Sequence, residues 1–157
     1  MDAMKVLLAV DGSSFSDAAL DEVARRPWPE GTEVRVVSVD PPVAAPEFTA
    51  SPVGMTAYQD LVQRLREETK SNLQAAAARL RERRPDLAVS AVLCDGIPKE
   101  QIVSEARRWG ADLIAVGSHG RGALKSLFLG SVSLGVVLHA PCSVLIVRKP
   151  AAASEPA

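Results

Sequence analysis

Two stretches of the chain combine glycine with polar side chains in a way that suits the binding of an anion. They are Asp11-Gly12-Ser13-Ser14 and Gly117-Ser118-His119-Gly120-Arg121-Gly122. Glycine lets backbone N–H groups approach a phosphate closely and allows positive φ. A helix beginning at Ser131 would add unpaired N–H groups and a positive dipole end, while Ser133 and Arg121 would add further donors. We expect a phosphate chain to bind here, although tight turns and helix ends also use glycine.

Common nucleotide motifs are not found at these positions. A Walker A loop has glycine directly before Lys-[Ser/Thr], whereas Leu124 precedes Lys125-Ser126. The glycines between 117 and 122 are spaced G-x-x-G-x-G, which is the reverse of the dinucleotide fingerprint. The sequence therefore predicts a phosphate site that belongs to neither class.

Few residues offer catalytic or metal-binding chemistry. The chain has only 2 His and 2 Cys, so we expect neither a His-based metal site nor a cysteine metal site or disulfide framework. Cys94 and Cys142 flank apolar runs, which favours two small core residues. His119 lies in the glycine-rich stretch, but no nucleophile or second titrating group accompanies it. We expect binding, with slow turnover or none.

The elements that would position these stretches alternate along the chain. A continuous apolar run predicts a strand buried on both faces at residues 5–10, and further apolar segments predict strands of the same buried type at residues 33–39, 88–93, 113–116 and 143–147. Helical patterns predict helices from Ser13 or Ser14 to Pro27, and over 56–84, 98–109 and 131–139. The long second helix carries an apolar stripe made of Leu61, Leu65, Leu73, Ala76 and Leu80. Residues 40–54 contain four prolines and are predicted to be a loop without regular structure.

Alternating strands and helices predict an α/β fold with a single open five-stranded parallel sheet and helices on both faces, a Rossmann-like architecture. Two strand orders fit, 3-2-1-4-5 and 2-1-3-4-5. Ligands bind where the order reverses, at the carboxyl ends of the strands. The glycine content after strand four favours 3-2-1-4-5, with the crevice between strands one and four. We expect one domain over residues 1–150 and a frayed tail over 151–157.

Composition excludes several function classes. The 157 residues are 47% hydrophobic, which excludes intrinsic disorder, and a formal net charge of −1 gives no field for nucleic acid or an anionic membrane. The apolar runs are too short to span a bilayer, and the first residues lack a secretory segment. These features predict a soluble cytoplasmic protein.

At this point the sequence resembles the ATP-binding class of the universal stress protein family. That class has the pattern Gly, two residues, Gly, nine residues, Gly, then Ser or Thr, and the chain has Gly117, Gly120, Gly130 and Ser131 at this spacing. Asp11-Gly12-Ser13 and the closing Ala140-Pro141-Cys142-Ser143-Val144-Leu145-Ile146-Val147 are also typical of the family. The resemblance extends over residues 5–148.

The resemblance implies ATP, or another adenine nucleotide, as the ligand, with Mg²⁺. Asp11 would face the phosphates and their Mg²⁺, or the ribose. Val39 would meet the adenine through its backbone, and Gly96 would pass close to the ribose. Arg121 would add a positive charge. The residues expected to surround ribose and phosphates are Gly117, Gly120, Gly130, Ser131, Val132 and Ser133.

The resemblance also implies a homodimer formed through the fifth strand, Ser143–Val147, whose apolar edge would otherwise be open. Three other functions stay open at this stage: an ATP-using enzyme of related fold, a flavin carrier, and a dimeric stress scaffold that binds no nucleotide. The intact glycine pattern argues against the scaffold. Asp11-Gly12-Ser13-Ser14 is not the Ser-Gly-Gly-rich loop of an ATP pyrophosphatase. Asp11 could also have a purely structural role instead of contacting a ligand, because its side chain could cap the first helix or the turn after strand one.

Overall fold

The computed structural model describes residues 3–121 and 128–150, and shows five strands and four α-helices in strict alternation. The strands are β1 (Lys5–Ala9), β2 (Glu33–Asp40), β3 (Ala88–Asp95), β4 (Leu113–Gly117) and β5 (Ser143–Val147). The helices are α1 (Ser14–Arg25), α2 (Pro52–Arg83), α3 (Pro98–Trp109) and α4 (Ser131–His139). Gly122 and the tail at 151–157, both named in the sequence analysis, lie outside the described residues.

The strands form one parallel sheet in the order β3-β2-β1-β4-β5, as predicted. β1 is central and pairs with β2 on one side and with β4 on the other. The strand order reverses between β1 and β4, so their carboxyl ends flank the predicted crevice.

Two hydrophobic layers hold the helices on opposite faces of the sheet. α1 and α2 cover one face, where Leu20 and Leu80 pack on Val6 and Val36. α3 and α4 cover the other face, where Ile102 and Val136 pack with the alternate strand residues, Leu7, Val37 and Ile114. Because strand side chains alternate between faces, apolar residues at neighbouring strand positions supply both layers.

Local signals explain where the helices begin and end. Ser13 caps α1, since its side chain accepts the N–H of Ser16. Pro98 occupies the first turn of α3, and Gly110 ends that helix with φ 75°, a left-handed conformation that favours glycine. These boundaries match the predicted ones to within a residue or two.

The prediction for residues 40–54 was wrong in part. Glu47–Ala50 forms one turn of 3₁₀ helix, and α2 begins at Pro52 instead of residue 56. Ser51 caps α2 by accepting the N–H of Gly54. Proline is compatible with a first helical turn, because the N–H it lacks has no partner there. The spacing placed Leu61 in the apolar stripe of α2, but this residue is 46% exposed. The stripe is buried only from Leu73 onward.

Candidate functional site

A pocket opens at the carboxyl ends of β1, β2 and β4, on the face of the sheet that α3 and α4 cover. Its empty space, counting the open mouth, is about 580 Å³. The residues that line it are Ala9, Val10, Asp11, Ser16, Val37, Val39, Pro98, Ile102, Val116, Gly117, His119, Gly120, Val132 and Ser133. The pocket therefore lies at the reversal of strand order, where the sequence predicted a ligand.

One part of the pocket is an apolar slot. Val37 and Val39 of β2 form one side, and Ile102 of α3 and Val132 of α4 close over them. Val116 of β4 continues the surface. Such a slot suits a flat, largely apolar ring.

The other part of the pocket lies at the start of α4. Gly130 occupies the N-cap position, and no described side chain caps this helix, unlike α1. The first N–H groups of α4 therefore face a region where backbone N–H groups and the positive end of the helix dipole favour an anion. The Ser133 hydroxyl is buried and donates to the Ser118 carbonyl at 2.8 Å, which joins α4 to the loop after β4.

Asp11 joins the two loops that meet at the crevice. Its Oδ1 accepts the Ser13 N–H at 2.9 Å, and its Oδ2 accepts the Arg121 N–H at 3.2 Å. The first bond stabilises the turn after β1, which is the structural alternative considered for this residue. The second bond extends to the glycine-rich loop after β4.

His119 lines the pocket and packs against α1. Its ring centroid lies 5.2 Å from that of Phe15, and its Nδ1 is 3.1 Å from the Ser118 hydroxyl. Phe15 thereby holds the imidazole at the pocket wall.

Arg121 points away from the pocket lining. Its guanidinium lies 3.6 Å from the Glu68 carboxylate of α2, and both side chains are about half exposed. The same guanidinium lies close over Gly12, with Asn72 of α2 beside it. Arg121 would have to leave Glu68 to reach a phosphate at the start of α4.

The structure brings most of the predicted site residues together. Asp11, Val39, Gly117, Gly120, Val132 and Ser133 line the pocket. The predicted residues that do not line it are Gly96, Arg121, Gly130 and Ser131. Gly130 lies just behind the wall, since its N–H donates to the Ser118 carbonyl at 2.7 Å.

Sequence reasoning missed eight lining residues: Ala9, Val10, Ser16, Val37, Pro98, Ile102, Val116 and His119. His119 was considered only as a catalytic base. Ala9 and Val37 could have been found, because period-two alternation puts them on the same face as Val39. Pro98 and Ile102 depend on how α3 packs.

The glycines of the motif have different steric roles. A Cβ on Gly117 would lie 2.6 Å from the Phe15 carbonyl oxygen, so this glycine lets α1 pack closely on β4. A Cβ on Gly120 would lie 2.8 Å from Asp11 Oδ2 and would meet no other described atom within 4 Å. Gly96 has φ 133°, a conformation that favours glycine.

Metal ligands are scarce at this site. Over residues 3–121 and 128–150, no group of three or more His, Cys, Asp or Glu side chains could hold a metal ion. Asp11 is the one carboxylate that lines the pocket in the described part of the chain. Both of its oxygens accept backbone N–H groups, so the site fits a metal carried by a ligand's own phosphates better than a protein-held metal.

A doubly wound parallel sheet with a pocket at its switch point defines a class of α/β proteins that bind small ligands at the strand ends. The chain belongs to the universal stress protein family, whose model matches residues 3–148. A universal stress protein of Thermus aquaticus is 36% identical over 143 residues, which cover 91% of this chain and 97% of the relative.

Solved structures share the fold. Protein MJ0577, from Methanocaldococcus jannaschii, superposes with a TM-score of 0.79 at 28% identity, covering 97% of this chain and all of that one. An Arabidopsis thaliana family protein with AMP bound has a TM-score of 0.65 at 21% identity, covering 94% of this chain and 93% of its own. Another, from Archaeoglobus fulgidus, is in complex with dAMP, with a TM-score of 0.57 at 21% identity, covering 94% and 99%. At 21% identity the likeness establishes the fold.

No helix among the described residues is long and apolar enough to cross a membrane.

Proposed function

We propose that the protein binds an adenine nucleotide, ATP in the first place, in the pocket between β1 and β4. One observation carries the proposal: an apolar slot and an uncapped helix start lie side by side at the switch point. A nucleotide needs both parts, because its base is flat and apolar and its phosphates are anionic. Family members with AMP and dAMP bound lend support.

The backbone of Val39 would contact the edge of the adenine. The Val10 N–H donates to the Val37 carbonyl, so alternate residues of β2 turn their backbone groups toward β1. β1 ends at Ala9, so the N–H and C=O of Val39 point beyond its end, beside the slot. Adenine presents a donor and acceptors along its edge, which a backbone N–H and C=O can match.

The proposed phosphate region lies between the loop after β4 and α4. Gly117 and Gly120 would let the chain approach closely, and Gly130, Ser131, Val132 and Ser133 form the first turn of α4 and its cap. Gly96 would lie near the ribose, and Arg121 would supply a cation after leaving Glu68. Mg²⁺ would arrive on the triphosphate and neutralise part of its charge near Asp11. We propose a role in stress response with slow hydrolysis or none, a domain over residues 1–150, and a cytoplasmic location.

Equilibrium binding of labelled ATP tests the proposal. We expect saturation at micromolar to millimolar levels, roughly −4 to −8 kcal/mol. Val132→Asp would place a charge in the slot and abolish binding, whereas the same change at Val53, which is 81% exposed on α2, would not. Folded protein that binds no adenine nucleotide at millimolar concentration would contradict the proposal. Product analysis of the same samples would measure hydrolysis, and a fast rate lost in Val132→Asp would favour an enzyme.

We also propose that β5 pairs with its copy in a homodimer. Alternate backbone groups, those of Val144 and Ile146, point away from β4 at this edge, because the Val147 carbonyl accepts the Ser118 N–H. Next to β5, α4 exposes the apolar side chains of Leu134, Val137 and Leu138. At the opposite edge, by contrast, the Arg81 side chain donates to the outward carbonyl of Val89 on β3. An open apolar edge favours pairing with another strand.

Light scattering would give the mass in solution, and about twice the 16.6 kDa chain mass is expected. Ile146→Asp should shift the mass toward one chain, because it charges the pairing edge. The matched change at Val92 of β3 should not. A monomeric unmodified protein would refute the dimer.

A further inference from the structure

Asp11 accepts a hydrogen bond from the backbone of the loop after β4, a contact that nucleotide binding alone does not require. Its carboxylate bridges two backbone segments that are far apart in sequence, through the Ser13 N–H at 2.9 Å and the Arg121 N–H at 3.2 Å. These segments follow the two strands that flank the crevice. The carboxylate therefore ties one wall of the crevice to the other.

The contact is close and directed at the glycine-rich loop. The position that a Cβ on Gly120 would occupy lies 2.8 Å from Asp11 Oδ2, so a side chain here would push the carboxylate out of this contact. The Arg121 side chain turns outward to Glu68, so its backbone N–H is the part of the residue that meets Asp11.

Electrostatics argue against a direct contact between this carboxylate and a phosphate. Two anions at close range repel each other, most strongly where water is excluded. Both oxygens of Asp11 already accept backbone N–H groups, which compensate its charge. The main role of this carboxylate is therefore to hold the loop after β4 against the turn after β1.

We propose that Asp11 is a positioning residue, which holds the loop Gly117–Arg121 beside the start of α4 so that their N–H groups point at one phosphate. It acts through the Arg121 N–H and touches neither the phosphate nor its metal. This inference rests on the proposed nucleotide site, but the bond from Asp11 to Arg121 can be tested without any nucleotide.

The experiment compares Asp11→Asn with Asp112→Asn. Asp112 also accepts a backbone N–H, that of Lys5 at 2.8 Å, but at the amino end of the sheet. Amide hydrogen exchange is measured by NMR without nucleotide. Titrations then use adenosine, AMP, and ATP with and without Mg²⁺.

The asparagine turns an NH₂ group toward one of the two N–H donors, so one charge-assisted bond is lost. We expect exchange of the Arg121 amide to accelerate about tenfold, and AMP and magnesium-free ATP to bind about tenfold more weakly. Adenosine has no phosphate, so its affinity should change by less than about twofold. Asp112→Asn should change none of these.

Three outcomes would overturn the proposal. A loss confined to ATP with Mg²⁺ would make Asp11 a metal ligand, and an equal loss for adenosine would make it a nucleoside contact. Fast exchange of the Arg121 amide in the unmodified protein would show that the bond does not hold, and this measurement stands even if a variant fails to fold. Should the unmodified protein bind no nucleotide, the proposed function fails, while slow exchange that Asp11→Asn accelerates would still support the bond between the loops.

Discussion

Replacing Gly117 with alanine should destabilise the protein even when no ligand is present. The new Cβ would lie 2.6 Å from the Phe15 carbonyl oxygen and 2.7 Å from its carbonyl carbon. Both atoms are backbone in the first turn of α1, so no side-chain rotation can relieve the contact. Overpacking of this kind costs about 1–3 kcal/mol, and alanine's smaller unfolded-state entropy returns about 0.4–1 kcal/mol.

The net loss is about 1.3 kcal/mol of unfolding free energy. For a chain of this size, that lowers the melting temperature by roughly 3–5 °C. Thermal melts would be recorded on nucleotide-free protein at one concentration, because ligand and subunit binding both raise the midpoint.

Gly120→Ala is the matched control. Its Cβ would meet only Asp11 Oδ2, the end of a side chain that can turn aside. We expect its melting temperature to fall by less than about 3 °C, while its ATP binding weakens. If Gly117→Ala melts like the unmodified protein, or if Gly120→Ala is the less stable of the two, the steric assignment of these glycines is wrong.

Three further changes test other parts of the structure. Gly130→Val should lose ATP binding and keep its fold, and normal ATP titration would mean that the phosphate region is misplaced. Arg35→Met should lower the unfolding free energy by about 2 kcal/mol, measured by urea denaturation. The side chain of Glu105 is only 1% exposed, and the change would leave it with Arg108, the more exposed of its two arginine partners. An unchanged urea midpoint would contradict this. Burial raises the pKa of the Cys94 and Cys142 thiols, so their thiolate fraction at pH 8 is below that of a free thiol. Alkylation should therefore be slower than in urea-unfolded protein and need a higher pH, and equal rates would refute it.

The sequence predicted the sheet well because its signals are local and redundant. Each strand is rich in apolar residues, and the glycine content after strand four was enough to choose the order found in the structure. The predicted start of α2 is wrong because the four prolines between residues 40 and 54 do not all break regular structure. Ser51 and Pro52 instead form a cap and a first turn, a combination that the same rules allow.

The site was predictable where it depends on strand ends and loops, and not where it depends on packing between distant segments. Asp11, Val39 and Gly120 reach the pocket because each follows or ends a strand near the switch point. The outward position of Arg121 depends on Glu68, a helix residue far away in sequence, so no motif could indicate it. The length of α3 was predictable, but the contribution of Ile102 to the pocket was not.

The unequal edges of the sheet bear on how large an assembly of this protein can become. If both edge strands were open, β3 of one copy could pair with β5 of the next, and such head-to-tail contacts extend into ribbons without limit. The Arg81 side chain occupies the Val89 carbonyl and interrupts the row of acceptors along β3. In a dimer joined through β5, the open β5 edge of each copy would be paired and closed to further chains. In the proposed dimer, the Arg81 side chain would thus favour a closed particle of two copies over a growing polymer.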